Sequence, residues 1–426
     1  MKTFSKFQKL LLAGSIFILV ACKKNSSEII PPPIVPPPVT PVDSTVSLNL
    51  YYSLLASNFE PQYELIISKK DGEVLLDTLT DVNTKTNFIF KSTEKLLDVT
   101  TVLHQTLNDY YTITTYRSVN PAQWDTLNVP NLNKIISTAA NGDPAATLHL
   151  YNLPANVGSH FYLTSSGTSS FNITYTSNYI DWGYYKHPAT PVYILFPTLA
   201  LYKIYDPVKL KDTLSLSSMD SVVYKKFKMP VQYKVTDLML NGFFDSTNTS
   251  RVLTVFDKFF NPVAYKDVDV EYPANVFQKF QQQFFVSDDN GTTISHFDYS
   301  DTVQTTFNFP VAANYNLESA QKDNFTMKFN DFHPTYCMSG WKAGNYTWAI
   351  YASPDSSSYN PLALMTSLKT KSHFLGAISL GDLAITNFYF QMAGNTDYKT
   401  YIDYSFNSAN RQKRLFYWSD ELMKTF

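Results

Sequence analysis

A chain of 426 residues exceeds one ordinary domain, and its formal charge of -2, from 34 basic and 36 acidic side chains in mixed order, offers no basic footprint for nucleic acid. Only two cysteines are present, too few for a disulfide scaffold. Thirty tyrosines and 31 phenylalanines against 13 glycines suit pleated, half-buried surfaces better than helices, so the composition points to sheet.

The first 21 residues divide into a basic start, with Lys2, Lys6 and Lys9, and an uncharged apolar run from Leu10 to Val20. That is the layout of a secretory signal peptide, and the run falls short of the roughly 20 residues a membrane helix needs. It ends in Leu19-Val20-Ala21-Cys22, with a small residue at the cleavage position and a nucleophilic sulfur after it. These four residues resemble the lipobox of bacterial lipoproteins. The resemblance implies cleavage before Cys22 and lipid on its sulfur, which would tether the protein to a membrane outside the cytoplasm. Several acyl chains hold firmly, since each buried CH₂ contributes about 0.8 kcal/mol. Losing three lysines and no acid takes the mature charge from -2 to -5.

Residues 22 to 43 read as a lipidated start and a linker. Seven of the eleven residues from Pro31 to Pro41 are proline, which favours an extended polyproline II spacer. Lys23 follows the cysteine where Gram-negative lipoproteins kept at the inner membrane carry Asp, so the expected place is the outer membrane.

From residue 44 onwards short stretches alternate apolar with polar. Ser47 to Tyr51, Thr147 to Tyr151, Phe171 to Tyr175 and Phe325 to Phe329 are predicted strands, each with one face in a core and one towards water. Ser92 to Leu103 and Ala274 to Phe285 read instead as short helices. Leu65 to Gly72 matches Phe284 to Gly291 at an offset of 219, and both copies end in Asp-Gly or Asn-Gly, which predicts strand, type I′ turn, strand. The same offset pairs Leu75 with Ile294, Thr86 with Thr305, Phe88 with Phe307 and Phe90 with Phe309. A second echo pairs Thr147 to Pro154 with Thr326 to Pro334. The expected fold is all-β, with tandem antiparallel β-sandwich domains of immunoglobulin-like kind forming a duplicated two-part unit. Their expected spans are 44–145, 146–243, 244–325 (a repeat of the first) and 326–426 (a repeat of the second).

No catalytic signature is present: there is no His-Glu-x-x-His, Gly-x-Ser-x-Gly, Walker loop or Gly-x-Gly-x-x-Gly. The seven histidines lack metal-ligand spacing, so neither metal nor cofactor is assigned, and His149 and His296 are expected on solvent faces. Asp288 to Gly291 lacks the spacing of a calcium loop. Cys337, left alone once Cys22 carries lipid, is expected to be a buried apolar residue. The segment from Tyr175 to His187 collects aromatics among turn formers, and Tyr179, Trp182, Tyr184 and Tyr185 are the candidate ligand-binding residues, since exposed rings offer flat faces to sugars or partners.

Asp77-Thr78-Leu79, Asp125-Thr126-Leu127, Asp212-Thr213-Leu214, Asp220-Ser221-Val222 and Asp301-Thr302-Val303 resemble the O-glycosylation sequon of exported Bacteroidota proteins. With the lipobox, the proline spacer and the tandem sheet units, the whole chain resembles the cell-envelope lipoproteins of Bacteroidota, among them glycan-binding companions of starch-utilisation systems. The resemblance implies a non-catalytic module that binds glycan or an envelope protein. A glycoside hydrolase with a carboxylate pair from distant strands, and a structural or assembly component of the envelope, stay open as alternatives.

Overall fold

Period-two alternation governs the chain from residue 44 onwards. The computed structural model describes residues 44–51, 62–80, 85–126, 143–154, 160–165, 168–174, 177–186, 191–228, 233–247, 252–259, 267–273, 275–307, 315–330, 333–394, 396–411 and 419–426. Cys22, the proline spacer and Phe309 lie outside them.

The first strands are β1 (Ser44–Tyr51), β2 (Gln62–Ser68), β3 (Val74–Thr80), β4 (Lys85–Ser92), β5 (Leu97–Gln105) and β6 (Tyr110–Val119). There follow β7 (Ala145–Tyr151), β8 (His160–Ser165), β9 (Thr168–Thr174), β10 (Tyr179–Tyr185), β11 (Val192–Phe196), β12 (Leu201–Tyr205), β13 (Lys211–Ser215) and β14 (Asp220–Ser221). A third group comprises β15 (Val223–Lys228), β16 (Lys234–Phe243), β17 (Val252–Phe259), β18 (Asp267–Tyr272), β19 (Lys279–Ser287) and β20 (Thr292–Ser300). The last contains β21 (Tyr315–Gln321), β22 (Asn324–Phe329), β23 (Tyr336–Ala343), β24 (Tyr346–Ala352), β25 (Ser358–Tyr359), β26 (Ala384–Ala393) and β27 (Ser419–Thr425), with helices α1 (Pro361–Lys369), α2 (Tyr398–Phe406) and α3 (Ser408–Arg411).

The protein is all-β, built as layered sheets. One sheet of twelve strands runs β17-β16-β19-β20-β27-β26-β23-β24-β6-β5-β2-β3. Its pairings are antiparallel except at β24 and β6, where a parallel seam joins the strands of residues 62–119 to the rest. Smaller sheets cover its faces. β4 of the β1-β4 pair places Phe88 and Phe90 on Leu65, Ile67, Leu97 and Val99, and α2 adds Tyr398, Ile402 and Phe406 to the same core. On the opposite face Ile66, Val102 and Ile113 join the largest core, to which α1 contributes Leu364, Met365 and Leu368. β2 is therefore buried on both sides, which is why it reads as a nearly continuous apolar run. Phe227, Val268 and Val270 of the β15-β18 pair, and Phe325 and Met327 of the β21-β22-β25 sheet, complete that core.

The four expected strands form, as parts of β1, β7, β9 and β22, with Tyr175 at the end of the third lying outside the described residues. The two short helices do not: Leu97 to Leu103 lies in β5 and Lys279 to Phe285 in β19. Val99, Thr100, Thr101 and Val102 are β-branched and stiff at χ1, so a pleated strand suits them better than a helix. In β19 the polar run is absorbed by pairing: the buried Gln281 accepts from Asn241 at 2.8 Å, and Gln282 bonds the backbone of Gln304 at 3.0 Å and 2.5 Å.

Both predicted hairpins form, though not with type I′ turns. Only the glycines enter the left-handed region, Gly72 at φ +96° and Gly291 at +75°. Gly72 N–H donates to Lys69 at 2.9 Å and Lys69 N–H to Glu73 at 2.8 Å, the pattern of a turn closed by a glycine bulge. At the second hairpin Asp288 N–H donates to Thr292 at 2.9 Å, and the Asp288 carboxylate accepts from Asn290 and Thr292, each at 2.8 Å. Beyond the turns the neighbours differ, since β2 pairs with the later β5 and β19 with the earlier β16. The second echo places β7 and β22 each at the centre of a three-stranded sheet. The expected boundary near residue 243 falls between β16 and β17, which are hydrogen-bonded neighbours.

Candidate functional site

Residues 145–221 form their own pair of layers. The sheet β10-β7-β13 packs Leu148, Leu150, Trp182, Tyr184 and Leu214 onto Val192, Ile194 and Phe196 of β11, in the five-stranded sheet β14-β12-β11-β8-β9. Alternate residues of β10, β7 and β13 therefore form the outer face of the sheet.

The candidate aromatics are divided by this alternation. Trp182 and Tyr184 point inwards, stack on each other at 4.9 Å and are buried, and burial pushes the Tyr184 hydroxyl up to about 12. They are core residues, which corrects their place among the ligand-binding candidates. Tyr179 and Tyr185 point outwards, with 49% and 53% of their surface exposed.

Register brings three rows together on that outer face. Tyr179 of β10 lies opposite Tyr151 of β7, and Ser215 of β13 pairs with Tyr151 on its other side. The next row is Asp181, His149 and Thr213, and the third is Gly183, Thr147 and Lys211. His149 Nδ1 lies 2.7 Å from Asp181 Oδ1, so the imidazole donates to the carboxylate. The same ring stands 5.5 Å from Tyr179 and 6.1 Å from Tyr151, centroid to centroid. At the end of the first row Asn152, in the left-handed region at φ +60°, donates from its side chain to Ser215 at 3.2 Å. Gly183 leaves the third row open, as a Cβ there would meet nothing nearer than the Ala146 carbonyl at 4.0 Å. The surface is thus a pair of half-exposed phenol rings, a histidine-carboxylate pair and a row of small hydroxyl and amine groups. Such a surface can bind by stacking and hydrogen bonding.

Tyr151, His149 and Thr213 were missing from the candidates as partners of Tyr179. The signal was present in Thr147-Leu148-His149-Leu150-Tyr151, whose polar face becomes the middle of the site. His149 lies on the solvent face as expected, but His296 does not: it is buried and stacks on Phe284 at 4.4 Å. Cys337 is buried as expected, and burial raises its thiol to about 12, far from a nucleophile. Among the sequon-like hydroxyls, Thr213, Ser221 and Thr302 are exposed and Thr78 is half-buried; Thr126 is buried and inaccessible to modification in the folded protein. Among the described residues no helix is long and apolar enough to cross a membrane.

No protein-family model matches the chain, and no curated protein matches it in sequence. Solved structures share only weak likeness with it, two of them as follows. One is from work on host cell surface retention of a 1.5-MDa bacterial ice-binding adhesin, 8% identical over 83% of this chain and 91% of that one, with a TM-score of 0.15. The other is two B repeat units of the collagen-binding protein of Staphylococcus aureus, 9% identical over 75% and 88%, with a TM-score of 0.12. Superpositions this poor carry no argument for fold or function.

Proposed function

We propose that this chain is an extracytoplasmic lipoprotein of the outer membrane, held by lipid on Cys22, whose folded part binds glycan without catalysis. The lipobox residues Leu19 to Cys22 and the proline spacer support the anchor. The observation that carries the binding is the outer face of β10-β7-β13, where Tyr151 and Tyr179 stand opposite one another beside the His149–Asp181 pair. Aromatic rings left half-exposed on the outer face of a sheet that buries Trp182 and Tyr184 on its inner face offer flat apolar faces to sugar C–H groups, and the neighbouring row offers hydroxyl, imidazole and carboxylate partners for sugar hydroxyls.

Soluble protein lacking the leader, applied to a glycan array, should bind at least one polysaccharide class. The Tyr151→Ala, Tyr179→Ala double variant should lose at least tenfold in affinity. An array left blank by the unaltered protein would remove the glycan reading. Labelled palmitate should enter the full chain in a bacterial host and not the Cys22→Ser variant; absence of label from both would remove the anchor.

A further inference from the structure

The first hairpin carries a second cluster, on the face turned away from the β1-β4 pair. Glu64 lies on β2 opposite Leu79 of β3, which places it diagonal to Asp77 on the same face of the hairpin. The segment after α1 closes over both. Ser372 Oγ donates to Glu64 Oε2 and His373 N–H to Glu64 Oε1, both at 2.6 Å. The His373 ring lies with Nδ1 3.1 Å from Glu64 Oε1 and 3.4 Å from Asp77 Oδ1. Glu64 is fully buried, the Asp77 side chain is 14% exposed and that of His373 49%.

Two features call for a cation. Among the described residues His373 is the one cationic side chain paired with these carboxylates, and even protonated it offsets only one of two negative charges held out of water. Asp77 Oδ1 is itself buried, and its contact with the His373 ring nitrogen at 3.4 Å is longer than a hydrogen bond of ordinary length, which leaves room for an ion between them.

The spacing suits a metal ion. Ligand atoms about 2.1 Å from a common ion stand about 3.0 Å apart at right angles and about 3.4 Å apart at the tetrahedral angle. The two distances from Nδ1 match those edges, and all three ligand atoms lie within 4.8 Å of one another. The bonds from Ser372 and from the His373 amide fix the Glu64 carboxylate in the way second-layer donors orient a metal ligand.

We propose that Glu64, Asp77 and His373 bind one divalent transition cation, zinc foremost, with solvent completing its shell on the exposed side of the imidazole. One nitrogen with two carboxylate oxygens suits zinc or manganese and disfavours calcium, which takes oxygen ligands and more of them. The ion would fasten the first hairpin to a segment 309 residues further along the chain, and so serves as a structural clip independent of the sugar-binding face.

Full-length protein stripped with chelator and titrated with zinc chloride by calorimetry should bind one ion per chain. Its thermal midpoint should rise by about 3 °C or more at a hundredfold excess over Kd. Calcium chloride should give neither response. His373→Ala, whose ring is half exposed and whose amide bond to Glu64 survives, should keep the native circular dichroism and lose the zinc response at least tenfold, as should Asp77→Asn. His149→Ala, which alters a different histidine-carboxylate pair, should keep it in full. Natively folded protein that shows no zinc heat and no midpoint shift would overturn the proposal, as would zinc binding undiminished in His373→Ala; in either case a shared proton is what holds the two carboxylates together.

Discussion

Two regions of the molecule are rich in tyrosine and use it in opposite ways. Around β6, β23, β24, β26 and α2, Tyr116, Tyr336, Tyr351, Tyr389, Tyr398 and Tyr401 pack into one core, and burial drives the hydroxyls of Tyr116, Tyr336, Tyr389 and Tyr398 far above their ordinary pKa. These phenols are partnered within the protein: Tyr336 and Tyr389 join hydroxyl to hydroxyl at 2.6 Å, and Tyr398 donates to the Tyr351 carbonyl at 3.3 Å. On the β10-β7-β13 sheet, Tyr151, Tyr179 and Tyr185 turn their rings to water instead. Abundance of aromatics therefore says nothing about binding; the side of the strand on which each ring falls decides it.

The sharpest way to break this comparison is truncation. Tyr336→Ala should cost about 3 to 5 kcal/mol in urea unfolding, through the cavity and the hydroxyl left unpaired on Tyr389. Tyr336→Phe, which keeps the volume, should cost only about 1 kcal/mol.

Half-buried carboxylates extend the contrast between inside and outside. Asp257 of β17 lies diagonal to Asp237 of β16, and burial, then the Asp237 charge, raises its pKa from 3.8 to about 6. The folded state thus holds this proton more tightly than the unfolded chain does. Its contribution to stability is full below about pH 4 and is lost as pH rises through about 6. Asp257→Asn should leave stability at pH 4 nearly unchanged and raise it at pH 7, by an amount on the order of 1 to 2 kcal/mol once solvent screening is allowed for. Denaturation curves at the two pH values decide this. The smallest stability effect belongs to the outer face: Tyr179→Ala should stay within about 0.5 kcal/mol while weakening sugar binding. A large loss of stability there would make Tyr179 a core residue and sink the distinction.

Much of the sheet was legible because alternation is local. The hairpins were legible because a left-handed turn position favours glycine, here Gly72 at φ +96° and Gly291 at +75°, and Asp-Gly and Asn-Gly mark such turns, though the turn type was not. Helices α1 and α2 went unread despite visible caps: Asn360 accepts from Ala363 N–H with Pro361 at the first position, and Asp397 accepts from Thr400 N–H, each bond 2.8 Å. The site was half legible. Tyr179 and Tyr185 share a parity along β10 that Trp182 and Tyr184 break in pairs, and counting by twos would have separated Tyr184 from Tyr185. The meeting of Glu64, Asp77 and His373 had no local trace at all, because it depends on which distant segment closes over the first hairpin.

The parallel seam between β6 and β24 has a temporal consequence. Thr115 on one side accepts from the Trp348 indole on the other at 2.9 Å, 233 residues later in the chain. The four strands β2, β3, β5 and β6 keep a bare hydrogen-bonding edge until β24 reaches the compartment where the chain folds. High contact order adds to the delay. Until β24 docks, that edge is where the folding chain is open to pairing with the wrong strand.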